Sequence, residues 1–303
     1  MARRSTPESV DLAALLPSWE LALRAERKAP QTVKSYTDGV RAFLRWCEST
    51  GTDPVLTRGT VQAFTVSLLD GGAEPSTARS RQLAVKRFST WLAEEGELDT
   101  DPLLGLRPVK LDVKVTPSLT EDQVKALIKA CQGREMWCRR DEAIVRLMVE
   151  TGARAGEVVG LTLADIDLPR GLATVRRGKG GKGRIIPFGA QTGRAIDRYL
   201  RTRRGHLLSE SGALWLGDRG KSFGYDGLHK SLTYRARLAG IDGFHPHLLR
   251  HTAASRWLAA GGSEGGLMAV AGWKRRDMLD RYTAATASER AAAEARGLNL
   301  GDL

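Results

Sequence analysis

Apolar residues in the first hundred positions recur with a helical period. Between Pro30 and Gly51, the residues Tyr36, Val40, Phe43 and Cys47 fall at i, i+4, i+7 and i+11, the spacing of one helix face. Thr32 stands near the start as a candidate cap, and Gly51 supplies a stop. A further helix is predicted from Val61 to Leu69, before Asp70-Gly71-Gly72. Another starts near Ser76 and runs to Gly96, with Leu83, Phe88, Trp91 and Leu92 as its expected buried side. The period is lost over 101–117, where DPLLGLRPVKLDVKVTP holds three prolines and reads as an extended linker.

Beyond the linker, Thr120-Glu121-Asp122-Gln123 matches a capping box opening a helix. A second helix over 138–150 carries Ile144, Leu147 and Met148. The stretch LATVRRGKGGKGRIIPF reads as two short strands around a Gly/Lys turn. Helices are predicted over 190–204, 224–239 and 247–260, and an Ala-rich amphipathic one over 286–297. The fold class is mainly α with a small β-sheet (α+β). Its expected organisation is a helical domain over 1–100, a linker over 101–117 and a second domain over 118–303. Two domains suit 303 residues.

Composition narrows the classes. Hydrophobic residues are 42% and charged residues 27%, close to an ordinary globular chain. No stretch approaches the ~20 apolar residues of a membrane span, and acids interrupt the apolar run after Arg3 and Arg4, unlike a signal peptide. Three cysteines, none in CxxC spacing, fit a reducing cytoplasm and no zinc site. The net charge of +12 is uneven: residues 1–115 carry 16 basic and 15 acidic side chains, residues 116–303 carry 31 and 20. Between 170 and 204 there are 11 basic residues and one acid, Asp197. Such a field attracts polyanions, nucleic acid first among them.

Four segments carry candidate chemistry. TGARAGEVVGL places Arg154 and Glu157 at a helix start; RGKGGKGR places Lys179 and Lys182 on a hairpin. FHPHLLRHT sets His247 and Arg250 one helical turn apart, and AGWKRRDMLDRYT sets Tyr282 nine residues after Trp273. Each is weak alone. GKGGK lacks the spacing of a nucleotide-binding phosphate loop and does not lead from a strand into a helix.

Taken in order, with 26 residues from His247 to Trp273 and 9 from there to Tyr282, the set resembles the tyrosine recombinase (phage integrase) family over nearly the whole chain. The resemblance implies a helical, SAM-like core-binding domain and a catalytic domain that close on DNA as a C-shaped clamp. It implies Arg154, Lys179, His247, Arg250, Trp273 and Tyr282 as catalytic residues with Glu157 in support. Tyr282 would be the nucleophile, Arg154 and Arg250 the clamp on the phosphate oxygens, and Lys179 the acid for the departing 5′ oxygen, with Lys182 its alternative. A free tyrosine has a pKa near 10, and His247 is expected to handle its proton. Trp273 stands where histidine is commoner; indole donates a hydrogen bond but carries no proton, so it is expected to contact phosphate and orient Tyr282. His245 and His251 are expected to be structural. Further DNA contacts are expected from Lys34, Arg79, Arg81, Lys86, Arg176 and Lys182.

The resemblance needs no metal and no cofactor. Its expected partners are double-stranded DNA with a specific recombination site, a homotetramer assembled on it through the C-terminal helix, and a host or phage accessory factor. A cytoplasmic, nucleoid-associated protein that integrates or excises a phage or mobile element is the leading expectation. With no arm-binding domain before the helical one, short sites are expected. The alternatives are a chromosome or plasmid dimer resolvase, a type IB topoisomerase-like activity and a non-catalytic DNA-binding protein.

Overall fold

In a computed structural model, the described residues are 10–111, 117–176, 183–276, 278, 279 and 282. The chain forms two compact units, Met1–Val113 and Lys114–Leu303. Among the described residues no helix is long and apolar enough to cross a membrane.

The first unit holds four helices: α1 (Leu12–Ala25), α2 (Pro30–Thr50), α3 (Arg58–Asp70) and α4 (Pro75–Glu94). Their apolar faces meet around aromatic rings: Trp19 and Phe88 lie 5.0 Å apart and Phe43 and Phe64 5.5 Å apart, centroid to centroid. Val40, Phe43 and Cys47 are buried as their period requires. A Cβ on Gly39 would come within 2.5 Å of the Ala84 Cβ, so the missing side chain is what lets α2 and α4 touch.

Three expectations in this unit are corrected. Thr32 does not cap α2: Ala29 occupies that position and Pro30 begins the helix, because a fixed φ and a missing N–H suit the first helical residue. Leu83 is 41% exposed. The buried face of α4 runs through Ala78, Gln82, Val85, Phe88, Ser89 and Leu92, and Leu83 falls off that 3–4 residue rhythm. Residues 101–109, read as linker, fold back onto α4. Leu103 and Leu106 enter its core, Asp101 accepts from Ser89 at 2.5 Å and Thr90 at 2.9 Å, and the Val109 N–H donates to Gln82 at 3.2 Å. Prolines stop helices but do not stop leucines from burying.

The second unit is built around α6 (Met136–Thr151), whose Ile144, Leu147 and Met148 are fully buried. Before it comes α5 (Glu121–Ala130), with the expected capping box between Thr120 and Gln123. After it come α7 (Ala155–Val159) and an antiparallel sheet in the order β1 (Ile166–Asp167), β2 (Leu172–Val175), β3 (Arg184–Pro187). Ala173 faces Ile186 in the β2–β3 register, and both are fully buried. Then follow α8 (Ala190–Arg203), α9 (Tyr225–Leu238), α10 (Pro246–Ala259) and α11 (Glu264–Ala271). The sequence reading missed β1, which is two residues long, and α11, whose glycines mask its period; Ser263 caps α11 by accepting from the Gly266 N–H.

A buried ionic cluster ties α6 to α9. Asp141, 1% exposed, accepts from Arg140 at 3.0 Å, Arg235 at 2.9 Å and Ser231 at 2.7 Å. Arg140 also donates to the Leu216 carbonyl and to Asp218, fastening the 216–218 loop.

Candidate active site

The site grows from chain turns at the ends of α6 and α11. Gly152 ends α6 with φ +64°, a conformation that favours glycine, and a Cβ there would meet Ala253 of α10 at 3.4 Å. The turn puts Arg154 at the start of α7. Its N–H and one guanidinium nitrogen both reach Glu157, at 2.8 and 2.9 Å. Across from it, Arg184 at the start of β3 grips the same carboxylate with two parallel bonds of 2.9 and 2.8 Å and donates to the Val270 carbonyl at 2.7 Å. The Glu157 side chain is only 6% exposed. Burial alone would raise its pKa; the hydrogen bonds from Arg184 and from Arg154 outweigh that and hold it at about 2. Glu157 therefore stays ionised and fixes Arg154.

Pro246 sets the first turn of α10 and puts His247, Arg250 and His251 on neighbouring positions of one face. Arg250 is 2% exposed and donates to the Gly152 carbonyl at 2.6 Å and the Ala271 carbonyl at 2.7 Å. Its guanidinium also lies 5.4 Å from the centre of the Trp273 ring. Burial and the nearby charge of Arg154 lower its pKa to about 10, so it remains a cation at neutral pH. Arg154, His247, Arg250, Glu157 and Tyr225 line one concavity of 360 Å³. Desolvation, and then the charges of Arg250, His245 and Arg154, hold the His247 pKa below its ordinary value.

Tyr282 stacks on Trp273, the rings 5.3 Å apart and 16° from parallel. Both side chains are buried in a small apolar cluster with Leu258, Leu267 and Leu279. The indole Nε1–H of Trp273 is buried and has no hydrogen-bond partner among the described residues. An orphaned buried donor costs about 1–3 kcal/mol. The Tyr282 hydroxyl is hydrogen-bonded to Nδ1 of His251, the histidine expected to be structural.

The structure thus gathers Arg154, Glu157, His247 and Arg250 around one concavity, and Trp273 joins Arg250 to Tyr282. Lys179 and Lys182 lie outside the described residues, as does the 286–297 helix. The other expected DNA contacts are dispersed. Lys34 pairs with Asp38 at 2.5 Å, and Arg79 is exposed on α4. Arg81 lines a polar concavity between α2 and α4 with Gln31, Ser35, Ser76 and Ser80. Lys86 donates to the Leu106 carbonyl at 3.3 Å, which fastens the segment after α4. Arg176 is paired with Asp165. Three residues that the structure brings to these side chains were not among the expected site residues: Arg184, Tyr225 and His251. The four-residue step from His247 to His251 was a signal for the last; nothing local links Arg184 to Glu157, 27 positions away.

Comparison with known proteins gives the family. The model of the phage integrase family matches residues 117–289, and that of the phage integrase N-terminal SAM-like domain matches 16–96. The tyrosine recombinase XerD of Ralstonia nicotianae is 31% identical over 264 residues, covering 77% of this chain and 86% of that protein. A tyrosine recombinase XerC of Azotobacter vinelandii is 32% identical over 244 residues, covering 78% and 79%. Among solved structures, residues 75–356 of lambda integrase, as a dimer bound to a COC′ core site, superpose with a TM-score of 0.70 at 19% identity over 89% of this chain and 94% of that one. The XerH recombinase bound to a palindromic difH substrate gives a TM-score of 0.73 at 17% identity over 94% and 85%. The family model spans more than half of the chain, and the chain belongs to the phage integrase family: it is a tyrosine-type site-specific recombinase, an enzyme that breaks and rejoins DNA strands.

Proposed function

We propose that the chain recombines double-stranded DNA through a covalent bond between Tyr282 and a 3′ phosphate. One observation carries this reading: Tyr282 stacks on Trp273, whose ring lies 5.4 Å from the Arg250 guanidinium, and Arg250 lines one concavity with Arg154 and His247. A phosphate seated there would meet two guanidiniums, each able to hold a non-bridging oxygen with a planar fork. Negative charge builds on those oxygens during in-line attack, and positioned cations in a dry site stabilise it. Trp273 supplies one further donor. Neutral His247 supplies another, from the lip of the concavity. Lys179, by family resemblance, protonates the departing 5′ oxygen. One phosphoester replaces another, so the 5′ hydroxyl of a partner duplex can reverse the step and complete strand exchange through a Holliday junction in a tetramer. Arg81 and the polar α2–α4 concavity are candidates for contacts outside the cleavage point.

Integration or excision of a phage or mobile element is the biological reading, supported by tryptophan in place of the commoner histidine at 273. The relatives named XerD and XerC favour a second one, resolution of chromosome or plasmid dimers.

A duplex nicked near the cleavage point traps the covalent step. Wild-type protein should give an SDS-resistant adduct in EDTA without ATP, and Tyr282→Phe should give none while still binding. An adduct in the Phe variant would displace Tyr282 as nucleophile; a strict magnesium requirement would overturn the chemistry. Sequencing the trapped DNA from cells separates the two biological readings: element ends or dimer-resolution repeats.

A further inference from the structure

We propose that His251, and not His247, is the residue that accepts the proton of Tyr282 during strand cleavage; this rests on the reading of Tyr282 as nucleophile. Nδ1 of His251 is hydrogen-bonded to the Tyr282 hydroxyl, and the two rings lie 5.6 Å apart. His247 sits one turn earlier on α10, its ring edge-on to that of His251 with centroids 4.6 Å apart. The two histidines face different partners. His247 opens onto the concavity with Arg154 and Arg250, where burial and then the neighbouring positive charges disfavour its protonation. His251 is half-buried and faces the phenol.

In the step, the Tyr282 O–H bond breaks and its proton passes to Nδ1 of neutral His251. The freed oxygen pair bonds to phosphorus, and the bond from phosphorus to the 5′ oxygen breaks. That oxygen leaves with its electron pair and takes a proton from the Lys179 ammonium. One proton is received and one is given, so the site stays charge-balanced until religation returns both. The Nδ1 acceptor requires the tautomer with hydrogen on Nε2. A phenol of ordinary pKa near 10 gives up its proton most readily to a base already in hydrogen-bond contact with it.

Single-turnover adduct formation on the nicked duplex tests this with wild type, His251→Ala, His251→Asn and Tyr282→Phe, each also assayed for binding. Asparagine can accept the tyrosine hydrogen bond but cannot take its proton. Both His251 variants should bind normally and form adduct about 100-fold or more slowly. In His251→Ala, added imidazoles should restore part of the rate, and more so the more basic the imidazole. A site that had lost only alignment would not follow base strength. Normal cleavage by either variant would overturn the proposal, as would rescue insensitive to basicity. Should His251→Ala fail to fold, the rate of His251→Asn decides alone. Absence of adduct in wild type, or its presence in Tyr282→Phe, would instead overturn the underlying nucleophile assignment.

Discussion

Replacing Glu157 by glutamine keeps the size of the side chain and removes the charge that two arginines share. The magnitude follows from the carboxyl's pKa, held at about 2 against an ordinary 4.5. A shift of that size corresponds to about 3 kcal/mol of folding stability at pH 7. The side chain is 6% exposed, so solvent screening removes little of it. A carboxyl with a lowered folded-state pKa contributes fully above its unfolded value and loses the contribution as pH falls through the folded one. The difference between wild type and Glu157→Gln should therefore be about 3 kcal/mol at pH 7 and fall to roughly half that by pH 3. Urea unfolding of both proteins, followed by tryptophan fluorescence at several pH values, measures it. Cleavage should drop too, because Arg154 loses the carboxylate that holds its backbone and guanidinium together. Equal unfolding midpoints at pH 7, or a gap unchanged at pH 3, would refute the ion-pair reasoning.

Asp141→Asn should cost about 3–5 kcal/mol, because it leaves Arg140 and Arg235 buried without their shared anion; a thermal melt reads the loss. Trp273→Phe keeps a ring against Tyr282 but removes the buried indole donor, so covalent cleavage on the nicked duplex should fall by about tenfold or more while the protein still binds. Leu103→Ala should destabilise the first unit by about 2–5 kcal/mol, whereas Leu104→Ala should be nearly neutral. The two leucines are 0% and 70% exposed, and equal melting temperatures would return 101–109 to the status of a linker.

The helices of both units were legible because their signals are local. Val40, Phe43 and Cys47 sit within three turns of one another, and Thr120 and Gln123 close their capping box across three residues. The strands β2 and β3 were legible from their apolar runs on either side of the Gly/Lys turn. The ordered arginine, HxxR, tryptophan and tyrosine were legible because their order along the chain is itself the signal on which the family resemblance rests. Where a single residue was placed on the wrong side of a helix, as at Leu83, or a proline-rich stretch was taken as open chain, as at Leu103, the decision lay with packing partners that no window contains.

The inventory of candidate residues is therefore a property of the chain, and its wiring a property of the fold. Glu157 finds Arg184 across 27 positions because β3 runs back beside the start of α7. Arg250 is held by carbonyls at the ends of α6 and α11, 98 and 21 positions away. His251 meets Tyr282 across 31 positions. Sequence spacing put both histidines on one face of α10, but a helix face has no intrinsic partner. Only the packing of Trp273 and Tyr282 against Ala254 and Leu258 of α10 determines which imidazole the phenol reaches.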